Sequence, residues 1–348
     1  MTATTYTIES AAARFARAAQ TEYRGESALY ERLALGVKDD PELLAIAAHA
    51  RFGQPVSNLF FAAVRYLLFE EPSHPLEHHF PGKTQGKALA GDPYPSLRSF
   101  CLEHADAIRN IVSTRQVQTN EVGRCSVLLP ALGVVTKAGG DLPLAMVDVG
   151  ASAGLNLLWD SYSYDYGDGV VHGNANSPVS VRCEVKGTAR PPVPMTFPAV
   201  ACRVGIDLAP VDVRDSDAVR WLRALVWPEM NARLETLEHA IELAQSEPPD
   251  VRRGDALEVL PAVLSEMPVA ATIVVYHSHT LNQWGEDARK RLFTMLVEAS
   301  TLRPVYRVAM EWTGQWPEMK LLTYRDGVET VTKLANYQPH GKWIEWTV

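Results

Sequence analysis

The spacing of apolar residues predicts helices over roughly the first 139 residues of the chain. Asp40-Pro41-Glu42 begins one of them, because Asp is a favourable N-cap and Pro is tolerated in the first turn. The next helix begins near Ser57 and has a broad apolar face. Another is expected over residues 119–138, before Gly139-Gly140 ends the pattern. We therefore expect residues 1–139 to form a helical N-terminal region.

After Gly140 the pattern changes to short apolar runs that alternate with helical spacing. Such alternation predicts an α/β fold with a doubly wound, mainly parallel sheet. An Asp-Gly turn at 326–327 predicts a C-terminal antiparallel hairpin. The predicted strands are AMVDVG (145–150), VACRVGID (200–207), a short run in VRRGDA (251–256), ATIVVYHSH (271–279) and RPVYRVAMEW (303–312).

Helices are predicted between these strands, and residues 140–348 are expected to form one sheet core. The stretch at about 162–200 is long for a connection and is rich in Tyr, Gly and Pro, so we expect an inserted β-rich segment there. The predicted helices begin at Leu155, span 216–245 with a break at Pro228, and cover 256–266 and 285–300.

Composition limits the classes of function. Apolar residues make up 47% of the chain and charged residues 21%, which is typical of a globular protein. A net charge of −8 disfavours a nucleic-acid surface, so we expect a small-molecule substrate. The four cysteines form no C-x-x-C pair, and neither a membrane span nor a secretory leader is recognisable. We therefore expect a cytoplasmic protein with no membrane contact, and the oligomeric state stays open.

The segment MVDVGASAGLNLL (146–158) carries the strongest chemical signal. An apolar strand ends near Asp148 and is followed by Gly150, Ser152 and Gly154, and then by the predicted amphipathic helix. The pattern is similar to the acidic-x-G-x-G-x-G loop with which class I S-adenosylmethionine-dependent methyltransferases hold their cofactor, with Ser152 replacing the middle glycine. Glycines allow close approach of a ligand, towards which the N–H groups of a following helix point. The same letters also read G-x-S-x-G, the nucleophile elbow of α/β hydrolases.

Carboxylates follow three successive predicted strands: Asp148, Asp207 and Asp255. In an open parallel sheet the strand ends face one crevice, where an acid can accept the ribose hydroxyls of a nucleoside. For bound S-adenosylmethionine, Asp207 is the expected ribose ligand and Asp255 the expected adenine contact. Each acid alone could also be a helix N-cap, Asp255 above all. Gly154 and Asp207 are also much farther apart than the about 20 residues usual for such sites.

Two histidines and a glutamate follow the fourth and fifth predicted strands and are the candidate catalytic residues. His277 is the expected general base, because a transferred methyl group needs an aligned nucleophile that has lost its proton. His279 takes that role if the strand register is reversed, because we expect only one of the two histidines to face the cleft. Glu311 is expected to orient the histidine or to bind a substrate cation. A metal site is not expected, because His-x-His has no third ligand at a recognisable spacing.

Two other groups of side chains could line a ligand cleft. A polar cluster precedes the helix at 125–138, and several tryptophans follow the later strands, where they could form an aromatic substrate wall. The polar cluster is Gln118, Asn120, Glu121 and Arg124, and the tryptophans are Trp284, Trp312, Trp316, Trp343 and Trp346.

Two alternative functions remain open. One is a serine hydrolase with Ser152 as its nucleophile, and the chain contains acids and histidines in the order that α/β hydrolases use. The other is a methyltransferase-like core without activity, which binds a nucleoside or serves as a scaffold. Asp148 and the all-parallel run of strands favour the cofactor over the hydrolase. The hydrolase would take its acid from Asp207 or Asp255 and its base from His277, His279 or His340.

Several longer segments resemble one family of bacterial proteins. They are QTNEVGRC (118–125), DVGASAGLNLLWDSYSYDYG (148–167), GIDLAPVDV (205–213), YHSHTLNQW (276–284) and HGKWIEW (340–346). The family is a domain of unknown function with a class I methyltransferase-like, Rossmann-like core, and the likeness covers nearly the whole chain. The resemblance implies that core behind a helical N-terminal region. It also implies a glycine loop at Gly150 and Gly154, a ribose acid at Asp207 and an adenine contact at Asp255, but no established reaction.

Overall fold

The computed structural model describes residues 5–80 and 91–348 of the chain, which divides into two compact units. A helical unit contains residues up to 119 and residues 215–235, and a sheet unit contains residues 120–214 and 236–348. This division differs from the expected one at residue 139. The helix that ends at Ala138 packs on the sheet, and Trp221 belongs to the core of the helical unit.

The helices follow the predicted pattern over most of the chain. In the described residues the α-helices are α1 (Ile8–Ala18), α2 (Ala28–Val37), α3 (Pro41–Ala47), α4 (Val56–Leu68), α5 (Tyr94–Glu103), α6 (Ala105–Thr114), α7 (Cys125–Ala138), α8 (Ser216–Ala224), α9 (Asn231–Ser246), α10 (Ala256–Glu266) and α11 (Glu286–Ala299). Shorter helical turns are a π-helix at Ala19–Tyr23 and 3-10 helices at Pro75–His79, Val122–Arg124, Leu155–Ser161 and Leu281–Gln283.

Side-chain caps fix the start of several helices. Thr7 and Ser10 form a reciprocal capping box at the start of α1. The carboxylate of Asp40 accepts hydrogen bonds from the backbone N–H groups of Glu42 and Leu43. The helix predicted to begin at Asp40-Pro41 is therefore confirmed, with the cap and the proline in the expected positions.

The strands also lie close to the predicted runs. They are β1 (Leu144–Val149), β2 (Ser163–Asp165), β3 (Val171–Gly173), β4 (Ser180–Arg182), β5 (Glu184–Lys186), β6 (Val200–Asp207), β7 (Val251–Arg253), β8 (Thr272–Ser278), β9 (Val305–Trp312), β10 (Pro317–Arg325), β11 (Val328–Tyr337) and β12 (Trp343–Trp346).

A nine-stranded sheet with the order β5-β12-β11-β10-β9-β8-β1-β6-β7 forms the centre of the sheet unit. The neighbours from β7 through β6, β1 and β8 to β9 all pair in parallel. β10 and β11 extend the sheet as an antiparallel C-terminal hairpin, and β12 pairs antiparallel with β11 and parallel with β5. The predicted α/β architecture, with a large, mostly parallel sheet and a C-terminal hairpin, is therefore confirmed.

Side chains alternate between the two faces of this sheet. Val147 of β1 and Val275 of β8 belong to the core that α10 and α11 cover. α7 packs against β8 and β9, where the hydroxyl of Tyr306 donates a hydrogen bond to the carbonyl of Ala138 at 2.8 Å. β1 is buried along its whole length, as expected of a central strand in a parallel sheet.

The segment after the glycine loop departs from the predicted amphipathic α-helix. Leu155–Ser161 forms only seven residues of 3-10 helix, and Leu158 lies outside helical dihedral angles. Residues 155–159 are all buried, so there is no solvent-facing side for an amphipathic helix. The hydroxyl of Tyr162 donates a hydrogen bond to the carbonyl of Leu155 at 2.6 Å. It thus takes an acceptor that a longer α-helix would use.

The expected β-rich segment at about 162–200 contains three short strands that form a separate sheet, in the order β3-β2-β4. β2 pairs antiparallel with β3 and parallel with β4. β5, in the same segment, instead joins the edge of the nine-stranded sheet beside β12. This part of the chain therefore contributes to both sheets.

The buried hydrogen bond of Tyr162 gives a direct test of how the short 3-10 segment is held. Tyr162→Phe leaves the carbonyl of Leu155 without this donor, and we expect a loss of about 1–3 kcal/mol in the free energy of unfolding. Tyr30→Phe is the matched control, because the hydroxyl of Tyr30 is also buried but has no hydrogen-bond partner within the described residues. Urea denaturation measures both; equal, small effects would contradict this account.

Candidate functional site

The candidate site lies where the strand order of the parallel sheet reverses. From β1 the chain proceeds outwards through β6 to β7 on one side, and then through β8 to β9 on the other. Ligands of open α/β sheets bind beyond the carboxyl ends of the strands at such a point. The loop at 150–154 follows β1 here, Asp207 ends β6, and Ser278 ends β8. Sequence and topology therefore indicate the same edge of the sheet.

Hydrogen bonds from its own backbone hold the loop at 150–154 against β6. The N–H groups of Gly150 and Ala151 both donate to the carbonyl of Ile206. The N–H of Ser152 donates to Oδ2 of Asp207 at 2.8 Å. Ser152 has φ of 54°, a left-handed conformation that is uncommon for a residue with a side chain. The backbone donors of this part of the loop are therefore used inside the protein.

The two glycines leave room for protein atoms. Gly150 has φ of 85°, and a Cβ atom there would overlap the side chain of Thr280. Gly154 has φ of 71°, and a Cβ atom there would meet Pro249 and Val251. Packing thus accounts for both glycines. The α-helix whose N–H groups were expected to point at a ligand is also replaced by the short 3-10 helix.

Asp148 and Ser152 are the two buried polar side chains of this loop region. Burial raises the pKa of Asp148 to about 7; the hydroxyl of Tyr276 opposes this shift, and the negative charge of Asp207 adds to it. Oγ of Ser152 is buried and has no hydrogen-bond partner within the described residues. A buried hydroxyl without a partner is costly, so this atom is available to a polar ligand.

The two other acids of the predicted cofactor site differ from each other. Asp207 is buried, and its Oδ1 accepts a hydrogen bond from the N–H of Ala209 at 2.8 Å, while Oδ2 binds the loop. Asp255 is exposed and caps α10 by accepting a hydrogen bond from the N–H of Leu257 at 2.8 Å. The capping interpretation of Asp255 thus accounts for its position, whereas Asp207 joins β6 to the loop at 150–154.

His277 and Glu311 form a buried pair. His277 is 1% exposed, and its Nδ1 lies 2.7 Å from Oε1 of Glu311. Burial lowers the pKa of His277, although the hydrogen bond to Glu311 opposes this. Burial would raise the pKa of Glu311, but hydrogen bonds from His277 and from backbone N–H groups lower it overall. The pair is therefore a neutral histidine, donating from Nδ1, and an ionised glutamate.

Glu311 also holds the loop that follows β8. Its Oε1 accepts hydrogen bonds from the N–H groups of Thr280 and Leu281, both at 3.0 Å. Its Oε2 accepts one from the N–H of Asn282 at 3.3 Å. Since His277 is 1% exposed and its partner Glu311 binds three backbone N–H groups of this loop, the pair supports the loop after β8.

His279 has the more open position of the two histidines. It has φ of 55°, and its N–H donates to the carbonyl of Met310. Its Nε2 lies 3.1 Å from the hydroxyl of Tyr337, and its ring centre lies 6.1 Å from that of Trp312. Burial, with smaller contributions from Arg124 and His340, lowers the pKa of His279 to about 2. The imidazole is therefore neutral at physiological pH.

A polar network joins the segment before α7 to the segment after β11 at this edge. Nη1 of Arg124 donates to Oγ of Ser278 at 3.1 Å, and Nε donates to the carbonyl of Pro339. Nδ1 of His340 lies 2.9 Å from Oε2 of Glu121. Arg124 and Glu121 of the polar cluster before α7 therefore bind the end of β8 and the segment after β11. In the same cluster, Oδ1 of Asn120 accepts a hydrogen bond from the N–H of Leu155 at 2.9 Å.

The histidines proposed for a hydrolase have other partners. His277 binds Glu311, His279 lies beside the hydroxyl of Tyr337, and His340 binds Glu121. Oγ of Ser152 binds none of them in the described part of the chain. The serine–histidine contact that a hydrolase requires is therefore absent from this arrangement.

Tyr337 and Thr280 are the two residues of the site that the sequence did not indicate. Tyr337 ends β11 and is 58 positions from His279 along the chain. Thr280 fills the space at Gly150. No spacing rule links either pair. The strand order β8-β9-β10-β11 brings Tyr337 to His279, and the pairing of β1 with β8 brings Thr280 to Gly150.

Two further features of the described residues concern metals and membranes. Residues 5–80 and 91–348 contain no group of three or more His, Cys, Asp or Glu side chains that could hold a metal ion. Within the same ranges, none of the helices has both the length and the apolar character needed to cross a membrane.

Comparison with known proteins identifies the family. The family DUF2332, described as an uncharacterized protein conserved in bacteria, matches residues 12–346, and the chain belongs to it. Searches of curated proteins and of solved structures found no match.

The shifted pKa of Asp148 predicts a pH-dependent stability. Its pKa is higher in the folded protein than the ordinary aspartate value of 3.8, so the stability it contributes is present at acidic pH and lost as the pH rises through about 7. Relative to Asp148→Asn, the wild type should lose about 2–3 kcal/mol of unfolding free energy between about pH 5 and pH 8.

Urea denaturation across this pH range makes the measurement. Asp255→Asn is the matched control, because Asp255 is an exposed cap and Asn is an equally good N-cap. Its pH profile should follow that of the wild type. Parallel profiles for wild type and Asp148→Asn would show that the buried carboxyl is not perturbed.

Proposed function

We propose that this protein is an S-adenosylmethionine-dependent methyltransferase that acts on a small molecule. The observation that carries the proposal is the meeting of Asp148, Asp207 and the unpartnered Oγ of Ser152 at the switch point of a doubly wound sheet. The strand order β7-β6-β1-β8-β9 supports it, because it is the 3-2-1-4-5 order of nucleotide-binding α/β folds. No nucleic-acid or membrane partner forms part of the proposal.

The donor and acceptor groups of these residues fit the proposed cofactor. Bound S-adenosylmethionine supplies an activated methyl group on a positively charged sulfur. Asp148 provides a buried carboxyl that an adjacent positive charge would keep ionised. Asp207 lies at the end of the second strand of the parallel sheet, where an acid accepts the ribose hydroxyls in nucleoside-binding folds, and its carboxylate already accepts hydrogen bonds from the N–H groups of Ser152 and Ala209. The hydroxyl of Ser152 would gain the partner that it lacks.

The glycines and Asp255 contribute less than the resemblance implies. The space at Gly150 and Gly154 is filled by protein side chains, so they shape the loop and do not contact the cofactor in this proposal. Asp255 is exposed and caps α10, so an adenine contact would have to use its second carboxylate oxygen. The proposal therefore depends on Asp148, Ser152 and Asp207.

His279 is the histidine that we assign to the substrate side. His277 is fully buried and bound to Glu311, so its role is to position the loop after β8. His279 lies beside Trp312 and Tyr337 and is half-buried. Because the lowered pKa of its imidazole makes it a weak base, it aligns the acceptor atom more than it removes a proton.

Ligand binding tests the assignment of the two carboxylates separately. S-adenosylmethionine and S-adenosylhomocysteine share the ribose, but only the first carries the sulfonium charge. Asp148→Asn should therefore weaken S-adenosylmethionine about tenfold to a hundredfold and S-adenosylhomocysteine much less. Asp207→Asn should weaken both ligands to a similar degree, because it acts on the ribose.

Isothermal titration calorimetry of the full chain measures these affinities. Asp212→Asn is the control, since Asp212 is an exposed aspartate paired with Arg214 and should leave both affinities unchanged. Failure of the wild type to bind either ligand at millimolar concentration would reject the cofactor. Binding of both ligands without methyl transfer to any acceptor would instead favour a nucleoside-binding protein on this fold.

The pH dependence of binding provides an independent check. A proton on Asp148 competes with a cationic ligand, so the affinity for S-adenosylmethionine should rise by about tenfold between about pH 6 and pH 7.5. The rise follows the ionisation of a carboxyl whose pKa is about 7. In Asp148→Asn the affinity should be independent of pH over this range. A wild-type affinity that is flat or falls with pH would contradict the placement of positive charge beside Asp148.

A further inference from the structure

Two exposed tryptophans lie at the turn between β9 and β10, and Trp312 of this pair lies beside His279. Trp312 and Trp316 are each 43% exposed, whereas the other six tryptophans, all within the described residues, are buried or half-buried. They flank the exposed turn 313–315 between β9 and β10. Exposed aromatic side chains of this size at the edge of a site are typical of ligand contacts.

The aromatic surface continues into the loop that contacts the glycine loop. The ring of His279 lies between Trp312 and Tyr337, with ring centres 6.1 and 5.9 Å away. The next residue, Thr280, packs directly on Gly150. Two consecutive residues therefore connect the aromatic surface to the proposed cofactor loop. A molecule that rests on Trp312 lies next to the edge where that cofactor would bind.

The strained backbone of His279 supports a role for this surface. Its φ of 55° is uncommon for a residue with a side chain, and such conformations cluster at functional sites. The hydrogen bond from its N–H to Met310 and the contact of its Nε2 with Tyr337 hold this conformation. These two contacts therefore hold the imidazole ring beside Trp312, which is 43% exposed.

The charges near this surface are already compensated. Glu311 accepts hydrogen bonds from His277 and from three backbone N–H groups. Glu318 lies 2.9 Å from Lys320 and 2.7 Å from Lys333. With both carboxylates at this edge already paired, the surface has little to attract a cation, and a neutral ring suits the tryptophan face better.

We propose that Trp312, with His279, forms the substrate subsite, and that it binds a neutral, planar aromatic or heteroaromatic ring. The ring stacks on the indole of Trp312, and the imidazole of His279 orients its heteroatom. This inference rests on the proposed function in one respect only, which is that the bound ring is the methyl acceptor. Binding of the ring itself requires no cofactor, so it can be tested alone.

Fluorine NMR of the full chain labelled with 5-fluorotryptophan tests the subsite directly. The eight tryptophans give separate probes, and the signal lost in Trp312→Phe identifies that residue. Quinoline is the planar probe, and cyclohexanol and tetramethylammonium are the saturated and cationic comparisons. We expect quinoline alone to shift the Trp312 signal saturably, with a Kd of about 1 mM, as is typical of a ligand of this size.

Matched variants show whether the tryptophan carries the binding. Saturation-transfer NMR of quinoline itself measures these variants, because they lack the Trp312 signal. Trp312→Ala should weaken quinoline binding by about tenfold, and Trp312→Phe should retain most of the affinity, because stacking needs an aromatic ring. Phe52→Ala is the control, since Phe52 is an exposed aromatic residue of the helical unit and should leave the affinity unchanged. Melting temperatures of the variants, unchanged within a few degrees, exclude a loss of fold as the cause.

Three results would overturn the inference. They are the absence of a saturable shift with quinoline, an equal shift with tetramethylammonium, and a Trp312 signal that changes with protein concentration alone. The second would indicate a cation site, and the third a contact between copies of the chain. Because no cofactor is present, a failure of S-adenosylmethionine to bind would reject the proposed function and leave this result unaffected.

Discussion

The carboxylate of Glu311 is the interaction on which the arrangement of the site depends. It accepts hydrogen bonds from the imidazole of His277 and from the N–H groups of residues 280–282. Charge-assisted hydrogen bonds contribute about 1.5–3 kcal/mol each, which offsets the cost of burying an ionised group. This one residue of β9 thus determines how the chain leaves β8. Thr280 is held against Gly150, and His279 is turned to the other side of the loop.

A second carboxylate, that of Asp207, plays the corresponding part on the other side of β1. Its two oxygens accept hydrogen bonds from the N–H groups of Ser152 and Ala209, and this connects the loop after β1 to the end of β6. The negative charge of Asp207 also helps to raise the pKa of Asp148. Two buried acids that share one small region are unfavourable without a cation or a proton. The protein retains this arrangement at its switch point, where a cationic ligand would relieve it.

Much of the fold follows from local patterns in the sequence. The buried strands and their order along the chain were predictable from β-branched runs, and Asp40 and the Asp326-Gly327 turn from their local geometry. The short 3-10 segment at Leu155–Ser161 was not predictable, since an apolar run that is buried on every side has no periodicity. The division into two compact units also depends on contacts between residues that are far apart in sequence, such as those of Trp221 with the helical core.

Prediction from the sequence has the same limit for single side chains of the candidate site. The sequence identified Asp148, Ser152 and Asp207, because strand ends in a parallel sheet meet at one edge. It could not show that the two histidines differ, since positions two apart lie on the same side of a strand for as long as the strand continues. His277 shares its side of β8 with Val275 and is bound by Glu311. His279 lies beyond the end of the strand, where a left-handed turn frees it from the alternation.

The two halves of the site therefore have different physical characters that suit different ligand groups. Around Asp148 and Asp207 the protein concentrates negative charge in a buried region, which favours a ligand that is positively charged and rich in hydroxyl groups. Around Trp312 the charges are paired and the surface is aromatic, which favours a neutral ring. The loop at 278–282 separates the two regions and contacts both. In the proposed reaction the charged donor and the flat acceptor would occupy one region each, with the methyl group and the acceptor atom in contact at the edge of the loop that borders both.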